Sequence, residues 1–532
     1  MQYSLAYGRE QLDVELPEEN VVKVLKIQPA AALEDPMDAV FDVLEDPIEA
    51  EPLAAIAEGK KSACIVVCDS TRPAPNPEML LPILQTLEDS GVDTAKITIL
   101  IATGLRRTST TEERHDIVGE DIVLRKFKVS DHNSKKLHQH EYLGVTKNGT
   151  PIWVDRRYLE ADVKILTGLI EPHSITGFAG GRKLICPGIA AAETVASCYA
   201  SALLAHEHVR PGWIDDNPVH AEQMEVARKA GCDFIVNVVL NQDRKIAKII
   251  GGHMNQAFLK GVEIARKCLT DTIEKQVDIV VTSGGGAPFD KTWHQTIRGI
   301  TGALDILKPS GTIIIASACK EGVGSKEFEE IADQFESIAD FEKAISTGEQ
   351  SFVEQWQLEE LAKALRKGKV KVVTQGVPAE VLQKFFVEPC ATVEEAVAEA
   401  LNEYGADATI AVIPAGPSVL AVALHKEPDP PKMPVEKEAV EPEKSKPVKT
   451  KQVETEPVKA EPVEEEKKTA TKKTVTKKAA TTKTATAKTA TTKTATTKTA
   501  TKKTTASPKT EVKKPETKKA AAKKATKKTA KG

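Results

Sequence analysis

Short apolar runs rich in Val and Ile recur along the first 425 residues, and amphipathic stretches fill the gaps between them. The runs at 63–68, 97–101, 163–166, 234–240, 278–282, 312–316, 370–374 and 408–413 have the length and composition of buried strands. The stretches Pro77 to Leu87, Ala221 to Ala230 and Val393 to Tyr404 place apolar residues on one helical face. Strand followed by helix, repeated, predicts an α/β fold of two domains with mainly parallel sheets flanked by helices. A polar break at Thr270 to Gln276 precedes a fresh strand, so the division falls between an N-terminal domain, 1–272, and a C-terminal domain, 273–425.

Past His425 the pattern ends. Residues 426–466 are Pro, Glu, Lys and Val, the composition of an extended acidic linker. Residues 467–532 are almost entirely Lys, Thr and Ala, and without large apolar side chains such a segment cannot offset its ordering entropy. This tail holds 22 Lys against 2 Glu, a charge of +20, and with −4 on the linker that leaves −20 on residues 1–425. The overall net charge of −4 therefore conceals two opposite blocks. A flexible cationic arm is expected to contact nucleic acid or another polyanion without sequence preference.

Eight cysteines are scattered with no Cys-x-x-Cys pair, which predicts reduced thiols. The start, Met1 to Ala6, lacks a basic segment followed by an apolar one, and no apolar run reaches the length of a membrane span. The expectation is a cytoplasmic protein without a membrane partner.

Candidate chemistry follows strand after strand, where ligands bind in parallel α/β sheets. Asp69-Ser70-Thr71-Arg72-Pro73 follows the first run, and the pairing of Asp69 with Arg72 suits either a ligand or a helix cap. Ala102-Thr103-Gly104-Leu105-Arg106-Arg107 follows the second and offers two cations to an anion or to solvent. The third carries Glu171-Pro172-His173, then Gly180-Gly181-Arg182-Lys183, then Pro187-Gly188-Ile189. Its glycines allow a close approach of backbone N–H groups to an anion, and His173 is a candidate general base. It has neither the Walker spacing nor the dinucleotide Gly-x-Gly-x-x-Gly. The fourth, Ser283 to Asp290, leads to His294, Gln295 and Arg298, which fall about one helical turn apart. Four such loops on one rim point to an interdomain cleft.

These motifs, with Glu321-Gly322-x-Gly324 and Gln355-Trp356, resemble the nickel-pincer-nucleotide lactate racemases and their relatives over the globular part of the chain. The resemblance implies a racemase or epimerase of a small 2-hydroxy acid that works by reversible hydride transfer to a nickel-pincer nucleotide. It implies that Lys183 tethers the cofactor beside Gly180, Gly181 and Trp356. His173 matches a catalytic base, and Arg72 and Gln295 match residues that organise the substrate. Four positions, in three motifs, depart from the family pattern. Arg106 stands where a second catalytic histidine is usual, and it suits a substrate anion or a pairing with Asp69. Tyr199 falls on the nickel-ligating histidine. His294 and Arg298 replace a tyrosine and a lysine, so that His294 supplies a replacement base and Arg298 keeps the carboxylate-binding charge. Asp69, His173 and His294 are thus the catalytic candidates, and Arg72, Arg106, Gln295 and Arg298 the substrate-binding ones. The other reading is a non-catalytic descendant that binds a small anion or nucleotide and is tethered to nucleic acid by its tail.

Overall fold

The computed structural model describes residues 1–119, 121–346 and 352–427. The linker 426–466, apart from its first two residues, and the tail 467–532 lie outside the described residues.

Two six-stranded sheets organise the described chain. In the first, the strand order is Ile246–Gly252, Phe234–Leu240, Val163–Leu169, Ala63–Cys68, Ile97–Ala102 and Lys128–Asp131. All neighbours are parallel except the pair Phe234–Leu240 and Ile246–Gly252. Every residue of Ala63–Cys68 and of Phe234–Leu240 is buried, as continuous apolar runs require when helices cover both faces. The second sheet runs Glu388–Pro389, Lys369–Val373, Leu307–Ala316, Val277–Ser283, Ile410–Ile413 and Val21–Val24, and is parallel throughout. All eight apolar runs are strands, and the three amphipathic stretches are helices, at Asn76–Asp89, Pro218–Ala230 and Val393–Tyr404.

Local chemistry sets the helix ends. Asn217 caps Pro218–Ala230 by accepting from the His220 N–H, Pro218 occupies its first turn, and Gly231 ends it at φ +77°. Thr392 caps Val393–Tyr404 in the same way through the Glu395 N–H, and Gly405 ends it at φ +97°.

The segment Thr270–Lys275, expected as a break, is a strand paired in parallel with Leu420–His425. Its sequence is polar and only Ile273 is buried, so it has no apolar signature. A partner strand 150 residues away in sequence satisfies its backbone. The first residues form a hairpin, Gln2–Tyr7 with Glu10–Glu15, whose Leu5 and Val14 pack on Ile279 and Ile314 of the second sheet. Among the described residues no helix is long and apolar enough to cross a membrane.

In the first sheet the chain adds strands on one side of Ala63–Cys68, then places Val163–Leu169 on the other. This reversal is a topological switch point, and the two loops leaving it carry Asp69 with Arg72 and Glu171 with His173. The second sheet reverses likewise about Val277–Ser283, whose exit loop leads to the helix Trp293–Ala303.

Candidate active site

A cavity of about 150 Å³ lies where these loops meet. Its wall includes Asp69, Arg72, Arg106, His173, Gly180, Lys183, Tyr199, His294, Gln295, Arg298 and Trp356, so eleven of the twelve candidate residues come together. Gly181 is the exception: it turns away, its N–H donating to Asn237 Oδ1 at 2.9 Å, with Phe258 where a side chain would project. Arg107 also lies off the wall, paired with Glu113 at 2.6 Å.

Glu171 ties the halves of the site together. Its Oε1 pairs with Arg72, from a loop of the first sheet, and accepts from Arg298 Nη2, on the helix that follows a strand of the second, at 3.2 Å. All three side chains are at most 13 % exposed. Burial, and then the neighbouring Arg72, push the Arg298 guanidinium down to about 9. Asp69 accepts from the Thr71 hydroxyl at 2.6 Å and faces Arg106 at 3.5 Å. Arg106 is thus the most loosely held guanidinium of the wall, and its side chain is 39 % exposed.

The lysine carries the most distinctive geometry. Lys183 Nζ is 3.0 Å from His173 Nε2 and 3.5 Å from the Tyr199 hydroxyl. His173 Nδ1 accepts from the backbone N–H groups of Ile175 and Thr176 at 3.2 and 3.3 Å. With Nδ1 used as an acceptor, a neutral imidazole carries its proton on Nε2. That N–H then points at Lys183, which can accept it only as a neutral amine. Electrostatics agree: burial, reinforced by Arg72 and Arg182, holds the Lys183 amine well below its ordinary value. Burial and the adjacent Lys183 do the same to His173. Arg182 is fully buried with no carboxylate partner. Its guanidinium donates to the carbonyls of Thr176 and Phe178 at 3.0 and 3.1 Å and lies over the Phe258 ring at 4.6 Å.

Backbone constraints fix this loop. Gly180 has φ +89°, and a Cβ there would stand 2.5 Å from Asn237 Oδ1. Tyr199 accepts from Gln223 Nε2 at 3.2 Å and packs on Trp356 at 5.1 Å, and burial pushes its phenol well up. Gln295 is buried and held by Pro288 O at 3.2 Å. His294 lines the same cavity from the helix Trp293–Ala303, which follows a strand of the second sheet.

Sequence reasoning missed Glu354, Gln357 and Gln223. Glu354 stands immediately before the Gln355-Trp356 motif, but its partner His294 is 60 positions away, and no spacing rule connects them. Gln223 lies in the first half of a helix whose periodicity marks it as ordinary core.

The family model for the lactate racemase N-terminal domain matches residues 7–210, and that for the C-terminal domain residues 272–421. Lactate racemase of Thermoanaerobacterium thermosaccharolyticum is 34 % identical over 421 residues, 78 % of this chain and 98 % of that protein. Lactate racemase of Lactiplantibacillus plantarum is 31 % identical over the same shares. The structure of the lactate racemase apoprotein from T. thermosaccharolyticum superimposes with a TM-score of 0.73 at 32 % identity, covering 79 % of this chain and all of that one. A Thermotoga maritima protein shares the fold at a TM-score of 0.59 and 18 % identity, over 76 % of this chain and all of that one. Two family models in tandem, and relatives matched over almost their entire length, show that the chain belongs to the lactate racemase family.

Proposed function

We propose that the protein is a racemase or epimerase of a small 2-hydroxy acid that carries a pincer-type nucleotide on Lys183. The observation that carries this reading is the buried Lys183 amine, facing His173 Nε2 at 3.0 Å in a cavity walled by three arginines, where burial disfavours its protonated form. An amine whose protonation is disfavoured is more readily nucleophilic, as covalent attachment requires. The residues therefore fit the nucleotide. They do not fit the metal equally. Tyr199 at the nickel-ligand position is a protonated phenol, a weaker donor than imidazole. No group of three or more His, Cys, Asp or Glu among the described residues is placed to hold a metal. Nickel in this chain would rest on the pincer's own donors.

When bound, such a nucleotide supplies a hydride acceptor for the substrate's α-hydrogen. The chain's own residues do the rest. Arg106, held only at 3.5 Å by Asp69, is the cation that grips the substrate carboxylate. Arg72 and Arg298, fixed by Glu171, add positive potential. His173 and His294 handle the hydroxyl proton. Gln295, fixed by Pro288, presents a buried amide to the substrate.

The eight cysteines, all free and five of them buried, suit a cytoplasmic setting. The tail 467–532 is proposed to contact a polyanion, and deleting it is expected to abolish salt-sensitive binding to DNA.

Intact mass and metal analysis of protein from its native cells tests the central reading. The expected result is a mass excess mapping to the Lys183 peptide, together with interconversion of the enantiomers of a 2-hydroxy acid. An unmodified Lys183, in cells that make the cofactor, overturns it.

A further inference from the structure

We propose that Glu354 is the positioning residue that makes His294 the proton acceptor of this site. The inference rests on the 2-hydroxy-acid reading, because a hydroxyl proton must leave the substrate when its α-hydrogen departs as hydride.

The geometry is specific to one ring nitrogen. His294 Nε2 is sealed from solvent and has no hydrogen-bond partner. The polar atom it faces is Glu354 Oε1, at 3.6 Å. His294 lines the cavity, and of its two ring nitrogens Nε2 is the one that is sealed and unpartnered. A carboxylate opposite Nε2 holds the proton there and leaves the lone pair on Nδ1. The 3.6 Å gap is slightly longer than a hydrogen bond, as such pairs often are before substrate closes the site.

The surroundings fix both partners. The His294 ring stands edge-on to Phe328 at 5.0 Å and 82°. Gly324 backs it so closely that a Cβ there would lie 3.1 Å from the His294 Cβ. Gln357 Nε2 donates to the His294 carbonyl at 2.6 Å, and the Gln357 N–H to the Glu354 carbonyl at 3.1 Å. One helical turn therefore holds both the histidine's backbone and its ring. Glu354 itself is only 10 % exposed, and its second oxygen accepts from the Ser325 hydroxyl. Its backbone occupies the left-handed region at φ +67°, a conformation that non-glycine residues seldom adopt. Burial holds the His294 imidazole below its ordinary value, Arg106 adds to this, and Glu354 is the group that opposes it by stabilising the protonated form.

The two histidines are thereby made unlike. In this arrangement both carry the proton on Nε2, but His173 directs that N–H at Lys183 Nζ, whereas His294 leaves its Nδ1 bare. A carboxylate that orients one base, while backbone N–H groups orient the other, gives the site a starting polarity. His294 offers the lone pair that takes the hydroxyl proton, whereas the His173 N–H serves in this state only as a hydrogen-bond donor.

Long-range proton–nitrogen spectra of ¹⁵N-histidine-labelled full-length protein read this directly, with His294→Asn identifying the resonance. The expected result is a neutral His294 ring with its proton on Nε2. Glu354→Leu should shift it toward the Nδ1–H form while the His173 signals stay in place. Glu354→Gln keeps an acceptor oxygen, so it should retain the Nε2–H form and lower the imidazole pKa. With L-lactate as probe, kcat should fall roughly 10²-fold in the leucine variant with little change in KM, and recover partly in the glutamine variant. An Nδ1–H ring in the wild type, or a tautomer and pKa indifferent to both substitutions, overturns the proposal. If the tautomer behaves as expected but no 2-hydroxy acid is turned over by adduct-bearing protein, the racemase reading fails and the dyad stands.

Discussion

Replacing Glu171 by glutamine removes a carboxylate that two buried guanidiniums share. Arg72 follows a strand of the first sheet and Arg298 a strand of the second, and both converge on the same Oε1. At 3.2 Å and an effective dielectric near 20, the Arg298 pair alone represents about 5 kcal/mol of gross attraction. Part of this is offset, because the amide avoids the cost of burying a carboxylate. About 3 kcal/mol should remain, at the lower end of the cost of breaking a buried pair. The glutamine keeps its acceptor oxygen, so the loss measures charge rather than shape. Urea unfolding of Glu171→Gln, Arg298→Gln and the double variant gives the coupling energy. A coupling of about 2 kcal/mol is expected, with the double variant more stable than the sum of the two losses allows. A single variant within about 0.5 kcal/mol of wild type, or strictly additive losses, would refute the claim that this carboxylate balances the site.

Gly180→Ala places a side chain at φ +89° and 2.5 Å from Asn237 Oδ1, and should destabilise the protein by roughly 2–3 kcal/mol in thermal or urea unfolding; a neutral effect would mean that the turn can relax. His220 is held down to about 3, chiefly by burial and then by Arg182, so the unfolded chain takes up its proton first as pH falls. The stability associated with its neutral form is full above the unfolded pKa of about 6.5 and declines below it, by about 1.4 kcal/mol per pH unit for one proton. His220→Asn should remove that slope between pH 6 and 4, and an unchanged slope would count against a buried neutral ring. Lys183→Arg keeps a cation but not an amine nucleophile, and protein from cofactor-producing cells should show neither adduct by mass nor racemisation. Tyr199→His restores an imidazole donor and should raise nickel retention in the same cells, as read by elemental analysis.

The strands were legible because a parallel sheet covered on both faces needs uninterrupted apolar runs, and Ala63–Cys68 and Phe234–Leu240 are such runs. The loops were legible because the strand exits concentrate glycine and charge. What stayed hidden has a common cause. Thr270–Lys275 is polar, and only its pairing with Leu420–His425 makes it a strand. Arg72 and Arg298 read as cations open to a carboxylate substrate, but each is engaged by Glu171, and the second lies 127 positions away from it. Composition shows the charge of a side chain, not what neutralises it.

The same pairings explain how the site disfavours a protonated lysine. Glu171 is shared between two arginines, Asp69 is taken up by Thr71 and Arg106, and Arg182 has only carbonyls and an aromatic face. Among the described residues no carboxylate pairs with Lys183, whose polar contacts are an imidazole and a phenol. A charged ammonium would be buried and would add to three nearby guanidiniums, so the site disfavours the protonated amine. Glu354 is directed at His294, where it favours proton uptake rather than loss. The acidic groups are thus distributed so that Lys183 serves as a nucleophile and His294 as a base.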